Sequence, residues 1–286
     1  MSELIVHADT ARLVAAFTAQ PSHALLLAGR PGMGKASLAK SVAEQVLHLA
    51  PGGLPAYPYV RYITPDDGKA IGIEMVRELE HFLSLRVPSP QAINRLVIIE
   101  DSHLLSIEAQ NALLKTLEEP PLASVLIFTA QNEAALLPTI RSRMQTINVK
   151  RPALTELTEY FTAAGHSSPR IAQVQAISGG LPGLMSALLE QTDHPLLPAT
   201  QRARQLLQQS TFERLASVDE LAKQKTLCRD VLFILGQMSE LQLKRTSGRD
   251  FAHWAAILRA SYACDEALER NAQPKLALTH LMLQLG

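Results

Sequence analysis

Residues Leu25 to Lys40 read LLLAGRPGMGKASLAK. Gly29, Gly34 and Lys35 fall on the G-x-x-x-x-G-K-[ST] spacing of a phosphate-binding loop. In such a loop Gly29, Gly32 and Gly34 let backbone N–H groups turn inward, the following helix N-terminus adds positive potential, and Lys35 reaches the outer phosphates. The eighth position normally carries a hydroxyl that binds magnesium, and here it is Ala36. Ser37 is a poor substitute, because one step along a helix turns a side chain by roughly 100°. The second acidic motif departs as well. LVIIED ends in Glu100 then Asp101, whereas a phosphate-loop ATPase ends this strand in Asp then Glu. Each carboxylate is displaced by about one methylene, and a misplacement of about 1 Å can cost of order a hundredfold in rate. A third candidate is TIRSRM, Thr139–Met144, which offers Arg141 and Arg143. An arginine reaching a neighbour's nucleotide is worth about 10³–10⁵ in rate to the site it enters.

These residues need a scaffold, and the pattern around them supplies one. Short apolar runs at His23–Gly29, Tyr59–Thr64, Asn94–Asp101, Ser124–Ala130 and Gln145–Val149 read as strands. Helical periods lie between them at Gly34–Leu49, Ile71–Arg86 and Ile107–Glu119, the last stopped by Pro120 and Pro121. Strand–helix alternation predicts an α/β domain built on a parallel sheet. After Lys150 the pattern becomes helical, with a proline-marked linker expected at Thr192–Thr200 and turns at Ser247–Asp250 and Asn271–Pro274. The expected domains are 1–150, α/β; 151–192, a small helical lid; and 193–286, a helical collar.

The chain has 286 residues, 47% hydrophobic and 19% charged, enough to bury a sizeable core. Lys+Arg and Asp+Glu are both 27, for a formal net charge of +0, which does not fit a strong autonomous nucleic-acid binder. Cys228 and Cys264 are widely spaced and outside any C-x-x-C, so reduced core thiols are expected and no metal. No run approaches the roughly 18 apolar residues of a membrane span. The start MSELIVHADT lacks the basic, then apolar, order of a signal peptide, giving the expectation of a cytoplasmic protein.

EAQNALLKTLEEPP followed by LPTIRSRMQTI resembles the clamp-loader branch of the AAA+ ATPases, where the equivalents are an N-A-L-L-K-x-L-E-E-P-P helix and a Ser-Arg-Cys motif. Ser142-Arg143-Met144 keeps the Ser and Arg and replaces the Cys. ISGGLPGLMSALLE is similar to the family's second-sensor helix, NAQPKLALTHLMLQL to its final collar helix, and PDDGKAIGIEMVREL to the segment joining its second strand to the following helix. The resemblance implies an AAA+ domain followed by lid and collar, within a DNA polymerase III holoenzyme that serves DNA replication. It implies as partners gamma/tau-like ATPase motors and the clamp-opening delta chain, with the sliding clamp and primer-template DNA reached through the complex. Among the core chains the best match is to the one that does not hydrolyse ATP, completes the ring and lends its Ser-Arg arginine, here Arg143, to the adjacent motor. Ala36, the inverted Glu100–Asp101, Leu184 where the motor's second-sensor arginine is expected, and Gln131–Asn132 at the first sensor all weaken ATP contacts. Lys35 is retained, so weak ATP or ADP binding without hydrolysis stays open. The family's four-cysteine zinc module has no counterpart in His48–Tyr59. Two other readings stand beside this one: an active clamp-loader ATPase, and a stand-alone AAA+ helicase or remodeller.

Two roles are open for the face carrying Asn111, Lys115 and Glu118: a solvated surface with local pairs, or a lining of the subunit interface or DNA chamber. Trp254 is expected in the core.

Overall fold

The computed structural model describes residues 4–65, 70–85, 93–131 and 133–285. They form two compact units, Met1–Ala153 and Leu154–Gly286.

In the first unit five strands, β1 (Ala24–Ala28), β2 (Val60–Ile63), β3 (Arg95–Ile99), β4 (Ser124–Ala130) and β5 (Gln145–Asn148), lie in the order β2-β3-β4-β1-β5. Every pairing is parallel, as the alternation of elements requires. The register sets Ala28 beside Ala130 and Ile99 beside Phe128. β1, β3 and β4 are buried along their whole length, which is why they read as unbroken apolar runs rather than alternating ones. Helices α1 (Ala8–Ala19), α2 (Lys35–Val46), α3 (Ile73–Ser84), α4 (Ile107–Glu118) and α5 (Pro138–Arg141) connect and flank the strands. Leu26 and Phe128 from the sheet share one core cluster with Leu79 of α3 and Leu113 of α4. Asp66–Lys69 of PDDGKAIGIEMVREL, Arg86 at the end of the helix expected there, and Asn132 lie outside the described residues.

Two polar groups carry this unit's less obvious joints. Arg95 is buried at the start of β3, and its guanidinium donates to the carbonyls of Leu83 and Leu85 at the end of α3 and of Leu122. It thereby satisfies helix-end carbonyls that have no partner within the helix, while burial pushes its pKa down. Gln110 is buried in α4. Its amide donates to Leu105 O (3.1 Å) and accepts from Leu137 N (2.8 Å), so α4 and the entry to α5 are tied together.

The second unit is helical among the described residues: α6 (Leu154–Ala163), α7 (Ser168–Ser178), α8 (Pro182–Glu190), α9 (Leu197–Gln208), α10 (Thr211–Ala216), α11 (Val218–Lys223), α12 (Lys225–Leu243), α13 (Gly248–Glu269) and α14 (Pro274–Gln284). α12 is its axis. It packs against α7, α9 and α13, while α14 rests on α10, α11 and α13. The expected linker is partly helix. Leu197–Thr200 is the first turn of α9, where Pro198 costs nothing because first-turn N–H groups have no partner. The expected turn at Ser247–Asp250 likewise shifts forward, since α13 begins at Gly248. Cys228 and Cys264 are free and buried on α12 and α13. Burial pushes their thiols up to about 11 and about 12. Trp254 is half-buried.

Candidate functional site

The site is assembled at the carboxyl ends of β1, β3 and β4. The loop after β1 turns through Gly32 (φ +73°) and Gly34 (φ +79°), conformations that favour glycine. Gly34 opens α2 directly, with no side-chain cap. Gly29 answers a different need. A Cβ there would stand 3.0 Å from Val149 O and 3.3 Å from Val149 Cβ, so this glycine lets β1 run tightly past the residue after β5.

Lys35 is the first residue of α2 and is only 8% exposed. Its ammonium turns back on the loop, donating to Gly29 O at 2.7 Å and Arg30 O at 2.9 Å. Burial lowers its pKa to about 8, against a smaller opposing pull from Asp101. Ala36 is half-buried beside it and offers no hydroxyl, while Ser37 is exposed.

The acidic pair follows β3. Glu100 Oε1 lies 3.7 Å from the Lys40 ammonium of α2, which also lies over the Tyr62 ring. Asp101 occupies the left-handed region (φ +48°), unusual for a residue other than glycine. Two bonds hold it there: Asp101 N donates to Thr129 Oγ1 (3.0 Å), and Ser102 Oγ donates to Thr129 O (2.9 Å). His103 Nδ1 stands 3.8 Å from Asp101 Oδ1. Burial lowers the imidazole's pKa; Asp101 raises it and Lys35 lowers it further. Lys35, Asp101 and His103 thus form one electrostatic group, and Glu100 looks outward to Lys40.

Sequence reading did not single out Thr129, His103 or Lys40. A threonine inside the apolar run SVLIFTA is the one signal that pointed to the first. Gln131 is exposed at the end of β4. Leu184 is fully buried in α8, in the second unit.

Arg143 lies in the turn after α5. Its Nη2 donates to Glu118 Oε1 at 2.7 Å, and its Nη1 to Thr139 O at 2.7 Å and Ser142 Oγ at 3.3 Å. The side chain is 35% exposed and that of Glu118 51%. Asn111 and Lys115 are exposed on the same helix as Glu118. Arg141 is half-buried, with its Nε out of water and without a hydrogen-bond partner among the described residues.

A family model described as DNA polymerase III, delta subunit, matches residues 12–153, the α/β unit from within α1 to its end. The delta-prime subunit of Escherichia coli DNA polymerase III is 30% identical over 202 residues, covering 64% of this chain and 59% of that one. The delta-prime subunit of Pseudomonas aeruginosa is 32% identical over 182 residues, covering 57% and 55%. What matches is the α/β unit with part of the helical one, and the matches point to a delta-prime subunit of DNA polymerase III. The match spans little more than half the length of these two relatives. A Thermotoga maritima protein described as related to the DNA polymerase III gamma subunit superposes over 96% of this chain and 98% of its own, with a TM-score of 0.50 and 18% identity. That likeness bears on the fold alone, a five-stranded parallel sheet with flanking helices. Among the described residues no helix is long and apolar enough to cross a membrane.

Proposed function

We propose that this chain is the non-hydrolysing member of a sliding-clamp loader and lends the Arg143 guanidinium to ATP held by an adjacent gamma/tau-like motor. Its partners in this reading are those motors and a clamp-opening delta chain, with the clamp and primed DNA reached through the assembly in the cytoplasm. Residues 151–192 serve as a lid and 193–286 as a collar. Gly29, Gly32, Gly34, Lys35, Ala36, Glu100 and Asp101 are then a nucleotide site that has lost its metal chemistry.

The observation that carries this reading is how the site's charges are spent. Lys35 donates to its own loop's carbonyls, Glu100 faces Lys40 rather than the loop, and Ala36 provides no metal ligand. Arg143, by contrast, is partly exposed. A buried ammonium bonded to two carbonyls must give up those bonds to reach a phosphate. The retained glycine geometry at Gly32 and Gly34 favours a related possibility, nucleotide held without turnover.

The test is Arg143→Ala in the loader reconstituted with its motor and delta chains. Nucleotide affinity of the isolated chain is expected to stay unchanged. Clamp- and DNA-stimulated turnover of the assembly is expected to fall, since an arginine finger contributes about 10³–10⁵ at the site it enters. Unchanged assembly turnover, or brisk magnesium-dependent hydrolysis by the isolated chain, overturns the reading.

A further inference from the structure

We infer that Glu118 is the positioning residue of Arg143, its carboxylate fixing the direction in which the guanidinium is presented. This rests on the reading of Arg143 as a finger acting on a neighbour's nucleotide.

Glu118 is the last residue of α4, next to Glu119 and just before Pro120. A helix C-terminus is the negative end of the backbone dipole, so carboxylates are disfavoured there. Arg143 supplies the offsetting cation at 2.7 Å, from a separate element 25 residues along the chain. That element is anchored. Ile140 and Met144 are buried on either side of Arg143, Arg143 N donates to Ile140 O, and Gln110 ties α4 to Leu137 at the start of α5. The backbones bearing both charges are therefore fixed before the side chains meet.

Magnitudes decide what the pair is for. Both side chains are substantially exposed, and an ion pair of that kind shifts the folding equilibrium by no more than about fivefold. Its value to the fold is small. Its effect is on orientation, because the rotamer freedom of a long arginine side chain is already reduced before a neighbour's nucleotide is met. Here three bonds hold the guanidinium, to Glu118, Thr139 and Ser142, out of the five N–H donors it has. The remaining donors are available in a set direction. Of the three bonds, that to Glu118 is the one made with an oppositely charged group.

The experiment uses the reconstituted loader, with subunit assembly checked by size-exclusion chromatography. The Arg143-dependent part of turnover is the difference between wild type and Arg143→Ala. Glu118→Ala is expected to lower that part about two- to fivefold, the most that an exposed pair of this kind can hold, while KM for ATP stays within twofold. Glu118→Gln, which keeps an acceptor without the charge, is expected to fall in between. Added to Arg143→Ala, Glu118→Ala is expected to cause no further loss. If Arg143→Ala lowers turnover and Glu118→Ala does not, the positioning role is wrong and the finger stands. If Glu118→Ala raises turnover, the carboxylate is a restraint and the inference is overturned. If Arg143→Ala itself changes nothing, both fall.

Discussion

Gly179 ends α7 against Gln237 of α12, and replacing it with alanine should be among the most damaging single-methyl additions to the second unit. The residue lies in the left-handed region (φ +61°), where a Cβ costs about 1–2 kcal/mol. The added Cβ would also stand 2.6 Å from Gln237 Cβ, 2.7 Å from Gln237 C and 2.9 Å from Gln237 O. Two of those three are backbone atoms of a buried helix, so no flexible side chain can swing aside. Either α7 lifts from α12 or both helices strain, and overpacking of this kind costs about 1–3 kcal/mol. The total is about 2–5 kcal/mol, a large part of a typical domain's 5–15 kcal/mol. The chain's single tryptophan, Trp254, lies on α13, which packs against α12, so its fluorescence in a urea titration reports this unit. With a slope of about 2 kcal/mol per molar, the midpoint should fall by roughly 1–2.5 M. Gly165→Ala is the control. It has φ +93°, but nothing lies within 4 Å of its added Cβ, so it should lose only the backbone term. If both variants shift the Trp254 transition equally, steric contact with α12 is not what requires a glycine at 179.

Two further outcomes concern the first unit. Lys35 has a folded pKa of about 8, below the ordinary lysine value of 10.5. Between those values the unfolded chain keeps a proton that the folded chain has released, so stability rises with pH and the penalty is full below about 8. Against a Lys35→Met variant, the wild type should gain about 1–2 kcal/mol between pH 7.5 and 9.5, followed by hydrogen exchange of unit-one peptides. Cys228 and Cys264, whose raised values act in the opposite sense above pH 9, are common to both proteins and cancel. A pH-independent difference would refute the assignment. Arg95→Met should leave the carbonyls of Leu83, Leu85 and Leu122 without their donor and cost about 2–4 kcal/mol. Exchange should accelerate most in the last turn of α3; uniform acceleration across the unit would contradict a helix-capping role.

What sequence made legible follows from what each feature depends on. β3 and β4 were readable because strands buried on both faces lack the polar alternation of a half-exposed strand, with Thr129 the one polar residue inside either run. The turn after β1 was readable because glycine spacing constrains backbone shape, and Gly32 and Gly34 adopt positive φ as that spacing demands. Boundaries ran long by a residue or two where pairing stops first, as at Asn94 and Val149. Arg95 gave no warning, since an arginine opening a strand looks exposed until the end of α3 is seen to lie over it. Thr129 hid for a related reason. Its hydroxyl matters only because β3 ends opposite it and sends Asp101 N back to it.

The charged side chains mark the boundary of that legibility. Spacing brought Lys35, Glu100 and Asp101 to one edge of the sheet, but it could not choose their partners. In the fold Lys35 takes carbonyls of its own loop and Glu100 takes Lys40. Each choice withdraws a charge that a metal-bound triphosphate would need, and none follows from residue type. The Glu118–Arg143 pair is the counterpart on another surface of the unit. There a carboxylate at the unfavourable end of α4 is compensated by a cation that remains partly exposed. Where the chain neutralises its own charges, chemistry with an outside nucleotide is weakened. Where it steadies a charge without burying it, the group is left able to act across an interface. The two arrangements differ in burial and bonding alone, which is why mutating Glu118 and Arg143 together bears more directly on function than rebuilding the loop around Ala36.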